Sequence, residues 1–77
     1  MQFDYKAVGI VIRKIRKKRG LSQEVVSGLA GIARTHLTMI ETGRKQANLE
    51  TFWKIAQALN MSPSQLLHLV EQEIGES

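Results

Sequence analysis

The sequence predicts an all-α protein, a compact bundle of five short helices, and three observations carry that expectation. Apolar residues recur at helical spacing along nearly all of the 77 residues, and no stretch alternates apolar with polar residues as a strand does. Helix stops and starts punctuate that pattern: Gly20, Gly31 and Gly43 follow apolar runs, and the single proline, Pro63, opens one. The composition, 43% hydrophobic and 23% charged, is that of a globular chain, and the length suits one small domain with a thin core.

Each element has its own signals. Asp4 caps a first helix that runs to about Arg19, with Val8, Val11, Ile12 and Ile15 inward and Gly20 as its left-handed stop. Ser22 caps a second, Gln23 to Ala30, ended by Gly31. A third extends from about Arg34 to Thr42, inward through Leu37 and Ile40, and Gly43 closes it. Asn48 caps a fourth, whose Phe52, Ile55, Ala56 and Leu59 form the buried stripe. Ser62-Pro63-Ser64-Gln65 joins a capping box to proline at the first helical position. The fifth helix continues through Leu66, Leu67, Leu69 and Val70, then frays into an acidic tail; helix and tail take up about 63–77 of a single domain spanning 1–77. Between helices two and three lies only Gly31-Ile32-Ala33. So short a turn favours a steep crossing, the helix-turn-helix geometry, with Ser27 and Ala30 small enough for close approach and Ile32 plugging the corner.

Eleven Lys/Arg oppose seven Asp/Glu, for a net charge of +4. Three of the acids (Glu71, Glu73, Glu76) lie in the last seven residues, so 1–70 carry eleven positive and four negative charges, or +7. Arg13, Lys14, Arg16, Lys17, Lys18 and Arg19 crowd into seven consecutive positions. Such a body attracts polyanions, nucleic acid first and anionic lipid second; a solvated basic face is the plainer account of the same charges. Zero cysteines exclude disulfides and thiolate metal sites and suit a reducing cytoplasm. The longest apolar run, Ile10-Val11-Ile12, is far short of a membrane span, and Met1-Gln2-Phe3-Asp4 lacks the form of a signal peptide. A cytoplasmic protein with no membrane, metal or cofactor is expected. His36 and His68 are the only imidazoles, on separate helices, and form no catalytic constellation, so no enzyme is expected.

Leu21-Ser22-Gln23-Glu24, Ala30-Gly31-Ile32 and Ile40-Glu41 followed by Gly43-Arg44-Lys45 resemble, in this order, the Xre or Cro/CI-type (lambda-repressor-like) helix-turn-helix DNA-binding family. The likeness continues through Leu49-Glu50-Thr51-Phe52, Lys54-Ile55-Ala56, Ala58-Leu59 and Ser62, covering roughly residues 8–68 without gaps. It implies a lambda-repressor-like fold in which helices two and three form the motif and helix three enters the DNA major groove. It also implies that the glutamine at Gln23 lies at the DNA backbone and can brace a base-reading side chain, and that Arg16 lies near Glu41. That pair is either a structural ion pair or a DNA contact. Three departures stand out: Ala33 replaces the usual capping Ser or Thr, Gln46-Ala47 replaces an Asn-Pro, and Gly28 interrupts helix two. Gly28-Leu29-Ala30-Gly31 also fits a KH loop, which requires a sheet that this chain lacks signals for.

With Leu37 and Ile40 inward, Arg34, Thr35, Thr38 and Met39 face out and, with Gln23, are the expected base contacts. Arg34 suits either guanine O6 and N7 or a phosphate; Met39 suits a thymine methyl or packing on helix two. Phosphate contacts are expected from Ser22, His36, Gly43, Arg44, Lys45 and Gln46, His36 otherwise packing beside helix two. Lys14, Lys17 and Lys18 contribute general field. One reading helix spans about four or five base pairs, so the expected partners are double-stranded DNA and a second copy of the chain. Trp53, Leu66, Leu67, Leu69 and Val70 are the candidate homodimer surface, with Ile74, Phe3 and Ile10 as additions; completing a thin core is the other use for them. Val25 and Leu29 form a further apolar pair without an assigned role. The expected function is a sequence-specific transcriptional regulator on a palindromic operator. An antitoxin or restriction–modification controller of the same fold, or an RNA-binding or protein-adaptor module, are the alternatives.

Overall fold

The computed structural model describes residues 1–75. It contains α1 (Tyr5–Lys18), α2 (Gln23–Ala30), α3 (Arg34–Glu41), α4 (Leu49–Ala58) and α5 (Pro63–Gly75), with no strand among the described residues. The absent sheet removes the KH alternative.

Local chemistry sets the helix starts. Asp4 accepts from the Lys6 amide (2.9 Å), Ser22 from Val25 (3.1 Å) and Asn48 from Thr51 (2.8 Å). Ser62 and Gln65 exchange the two bonds of a capping box, at 3.1 and 3.0 Å. Ala33 makes no side-chain cap, which leaves the start of α3 about 1 kcal/mol short of a capped one. At the other ends the chain turns through a left-handed residue, and the amide after it reaches back five residues: Leu21 to Arg16, Ile32 to Ser27, Arg44 to Met39, Met61 to Ala56. Three of these turns use the expected glycines. The fourth uses Asn60, at φ 58°, a tolerable residue for that region because its short polar side chain suits it.

Helix α1 packs on α3 and α5; α2 packs on α3 and α4; α4 closes against α5. Ile12, Val26, Leu37, Ile55, Leu59 and Leu66 are fully buried where these faces meet, and Ile32 plugs the α2–α3 corner as a partly buried residue. Ser27 and Ala30 are buried on α2. Arg19 donates from its guanidinium to the Leu59 carbonyl, tying the end of α1 to the end of α4.

Two expectations about α5 are corrected. The helix does not fray after Val70 but continues to Gly75, and Lys14 on α1 donates to Glu73 at 2.9 Å, so part of the acidic segment neutralises α1 (Glu76 lies outside the described residues). Leu66 and Val70 are not available to a partner, being 0% and 1% exposed in the core. Four apolar residues in five positions run around most of a helix; α1 and α4 take the side bearing Leu66 and Val70, leaving Leu69 at its edge and Leu67 outside.

Candidate nucleic-acid interface

The Gly31-Ile32-Ala33 turn swings α3 across α2. Because Leu37 and Ile40 anchor one side of α3, its opposite side carries Arg34, Thr35 and Met39 into solvent, while Thr38 and His36 are half-buried. Met39 is 45% exposed, so its apolar side chain is not spent in packing under α2. Arg34 shares a shallow depression with Ser22, Gln23 and Glu24, which brings the starts of α2 and α3 together.

Beneath that surface runs one polar chain. Arg16 donates from Nε to Glu41 Oε2 (2.7 Å), from Nη2 to Glu41 Oε1 (2.9 Å), and from Nη1 to the Leu21 carbonyl (2.9 Å). Both residues are buried, and the pair is structural. The hydrogen bond to Glu41 raises the Arg16 pKa above its ordinary value; burial opposes this and the carboxylate's charge adds to it. Glu41 Oε1 also accepts from Gln23 Nε2 (3.1 Å), and Gln23 Oε1 accepts from Thr38 Oγ1 (3.0 Å). Gln23 is thus held between a buried carboxylate and an α3 hydroxyl. No buried side-chain nitrogen or oxygen among the described residues lacks a partner.

After α3, the amides of Arg44 and Lys45 both donate to the Met39 carbonyl, at 2.9 and 3.2 Å, which folds the Gly43-Arg44-Lys45-Gln46 loop back onto α3. Arg44, Lys45 and Gln46 are exposed. Two residues that shape this surface carried no signal in the sequence. Lys6 lies against Gly43, its Cγ 3.0 Å from where a Cβ on that glycine would stand, and so adds a third cation beside the loop. Gly9 lets α1 touch the backbone of α3. Neither is separable by pattern from its neighbours, because each acts on a segment more than thirty positions away.

The apolar residues sort differently from the expectation. Trp53 is half exposed and Leu67 nearly so; Leu49, one turn before Trp53 and not among the expected dimer residues, is the most exposed of the three. Phe3, Leu49 and Leu67 rim a groove floored by Val8, Ala47 and Phe52. Ile10 is exposed on α1, and Ile74 is half-buried against the core. Among the described residues no group of His, Cys, Asp or Glu side chains could hold a metal ion, and no helix is long and apolar enough to cross a membrane.

A helix-turn-helix family model matches residues 12–66, from α1 to the first turns of α5. An uncharacterised HTH-type transcriptional regulator, y4dJ, of Sinorhizobium fredii is 34% identical over 62 residues, covering 80% of each chain. The restriction–modification controller protein C.AhdI of Aeromonas hydrophila is similar in structure (TM-score 0.78, 33% identity, 82% of this chain and 96% of that one). So is the controller protein C.Esp1396I, solved as a tetramer in complex with its natural 35 base-pair operator (TM-score 0.87, 26% identity, 96% of this chain and 97% of that one). By its match over residues 12–66 and its 34% identity to y4dJ, the chain belongs to the Xre, lambda-repressor-like helix-turn-helix family of DNA-binding transcriptional regulators.

Proposed function

We propose that the protein is a homodimeric, sequence-specific regulator that docks α3 in the major groove of a palindromic operator. The observation that carries this reading is the outward row Arg34, Thr35 and Met39, mounted on a fully hydrogen-bonded frame and flanked by the Lys6, Arg44 and Lys45 cations. An α-helix fits the groove, Arg34 can grip guanine O6 and N7, and Met39 can meet a thymine methyl. Ser22, His36 and the 43–46 loop supply phosphate contacts that fix register. A second copy docks through Leu49, Trp53 and Leu67, with Phe3 at the edge, which are 73%, 50%, 48% and 61% exposed; such a cluster is large enough to seed an interface. Two copies would then place their reading helices one turn of DNA apart, ~34 Å.

The likeness to C.AhdI and C.Esp1396I, over nearly the whole of those chains, favours a restriction–modification controller over an antitoxin. Selecting sites from random duplexes while measuring solution mass tests the proposal. The expected result is one enriched inverted repeat bound by two chains. Equal recovery of all duplexes, or no duplex outcompeting heparin, would overturn it, and an RNA competitor that displaces every duplex would favour the RNA-binding reading.

A further inference from the structure

The polar chain under α3 fixes the direction in which each of its hydrogen bonds points, and that direction reaches the surface. Glu41, bound twice by Arg16, is a carboxylate and only accepts. The Gln23 group 3.1 Å from it must therefore be the amide NH2, which turns the amide oxygen toward Thr38 at 3.0 Å. An amide flip would set oxygen against carboxylate, so the orientation follows from chemistry. Thr38 Oγ1 carries one proton and has two neighbours in the protein, Gln23 Oε1 at 3.0 Å and the Arg34 carbonyl at 3.1 Å. Both are acceptors. Whichever takes the proton, it is committed inside the protein, and the hydroxyl keeps only lone pairs for an outside group.

We infer that Thr38 is a specificity-determining residue that accepts a hydrogen bond from an exocyclic amino group, adenine N6 or cytosine N4, on the strand it faces, its polarity set by the Arg34 carbonyl and by the amide oxygen of Gln23, which Glu41 orients. In the major groove those amino groups are the only donors; guanine N7 and O6 and thymine O4 accept and leave the Thr38 lone pairs facing another acceptor. A threonine with neither of these acceptors beside it could turn its proton outward and pair with either class. The inference rests on the proposal that α3 enters the major groove.

The test uses the full chain and the duplex selected above, with each adenine of the half-site replaced by purine and each cytosine by pyrimidin-2-one, analogues lacking the amino group. One such replacement should weaken wild-type binding about 3- to 10-fold, the worth of one hydrogen bond. It should have no effect on Thr38→Val, and Thr38→Ser should restore the wild-type response. Two results would overturn the inference alone: a Thr38-dependent loss that maps to guanine N7 or O6 or thymine O4, probed with 7-deazaguanine and thio-substituted bases, or a Thr38→Val variant with unchanged response at every position. Failure to select any duplex would overturn both the inference and the reading it rests on.

Discussion

Gly9 on α1 stands directly against Ile40 on α3: a Cβ added to Gly9 would lie 2.0 Å from the Ile40 carbonyl oxygen and 3.1 Å from the Glu41 carbonyl carbon. Helix α3 is therefore indexed on the backbone of α1, not only on side chains. Propensity alone would make Gly9→Ala stabilising by up to ~1 kcal/mol, but 2.0 Å is far inside contact distance and the atom it meets is backbone. We expect Gly9→Ala to lower stability by about 1–3 kcal/mol, and to weaken DNA binding as α3 is displaced. Gly28→Ala is the control: nothing lies within 4 Å of its Cβ position, so it should raise stability by about 0.5–1 kcal/mol. Thermal melts of both variants check the opposite signs.

Removing one partner of the buried Arg16–Glu41 pair leaves the other charge without compensation. Glu41→Ala should cost about 3–5 kcal/mol in denaturant unfolding, while a double replacement by apolar residues of similar volume should recover most of that. A loss below ~1 kcal/mol for the single change would show the pair to be solvated.

Arg34→Ala should weaken operator binding by about 1–3 kcal/mol and relax preference at one base position. Uniform weakening on all duplexes would assign Arg34 to phosphate.

Lys45→Ala should weaken binding to every duplex and lower the slope of log K against log salt by about one. The same measurement on Lys6→Ala asks whether the cation beside Gly43 joins the loop; an unchanged slope would exclude it.

Trp53→Ala and Leu67→Lys should each loosen the proposed dimer by about 2 kcal/mol or more, roughly 30-fold in Kd by sedimentation, with the monomer still folded. Leu66→Lys differs in kind: its side chain is fully buried, so it should unfold the chain.

Local chemistry was legible in the sequence. Asp4, Ser22, Asn48 and Ser62-Gln65 cap helices within three residues of themselves, and Gly20, Gly31 and Gly43 end them on the spot. Asn60 was missed because a non-glycine left-handed residue leaves the same trace in a sequence as any polar loop residue. The Arg16–Glu41 pair, 25 positions apart, came from family likeness and not from periodicity. Periodicity also failed to divide α5. Leu66 and Leu67 are adjacent and equally apolar, and only the placement of α1 and α4 decides that the first is buried and the second is not. The burial of Leu66 and Val70 moves the candidate dimer face toward Leu49 and Trp53 on α4.

The packing of α5 on α1 has a consequence for synthesis. Val11 and Ile15 border a groove whose other wall is Leu69, Gln72 and Glu73, some sixty positions downstream. In a chain emerging from the ribosome, this flank of α1 stays uncovered until α5 has cleared the exit tunnel. During that interval the basic side chains of α1 and an open apolar strip are exposed together, which leaves the nascent protein open to proteases and to sticking on polyanions.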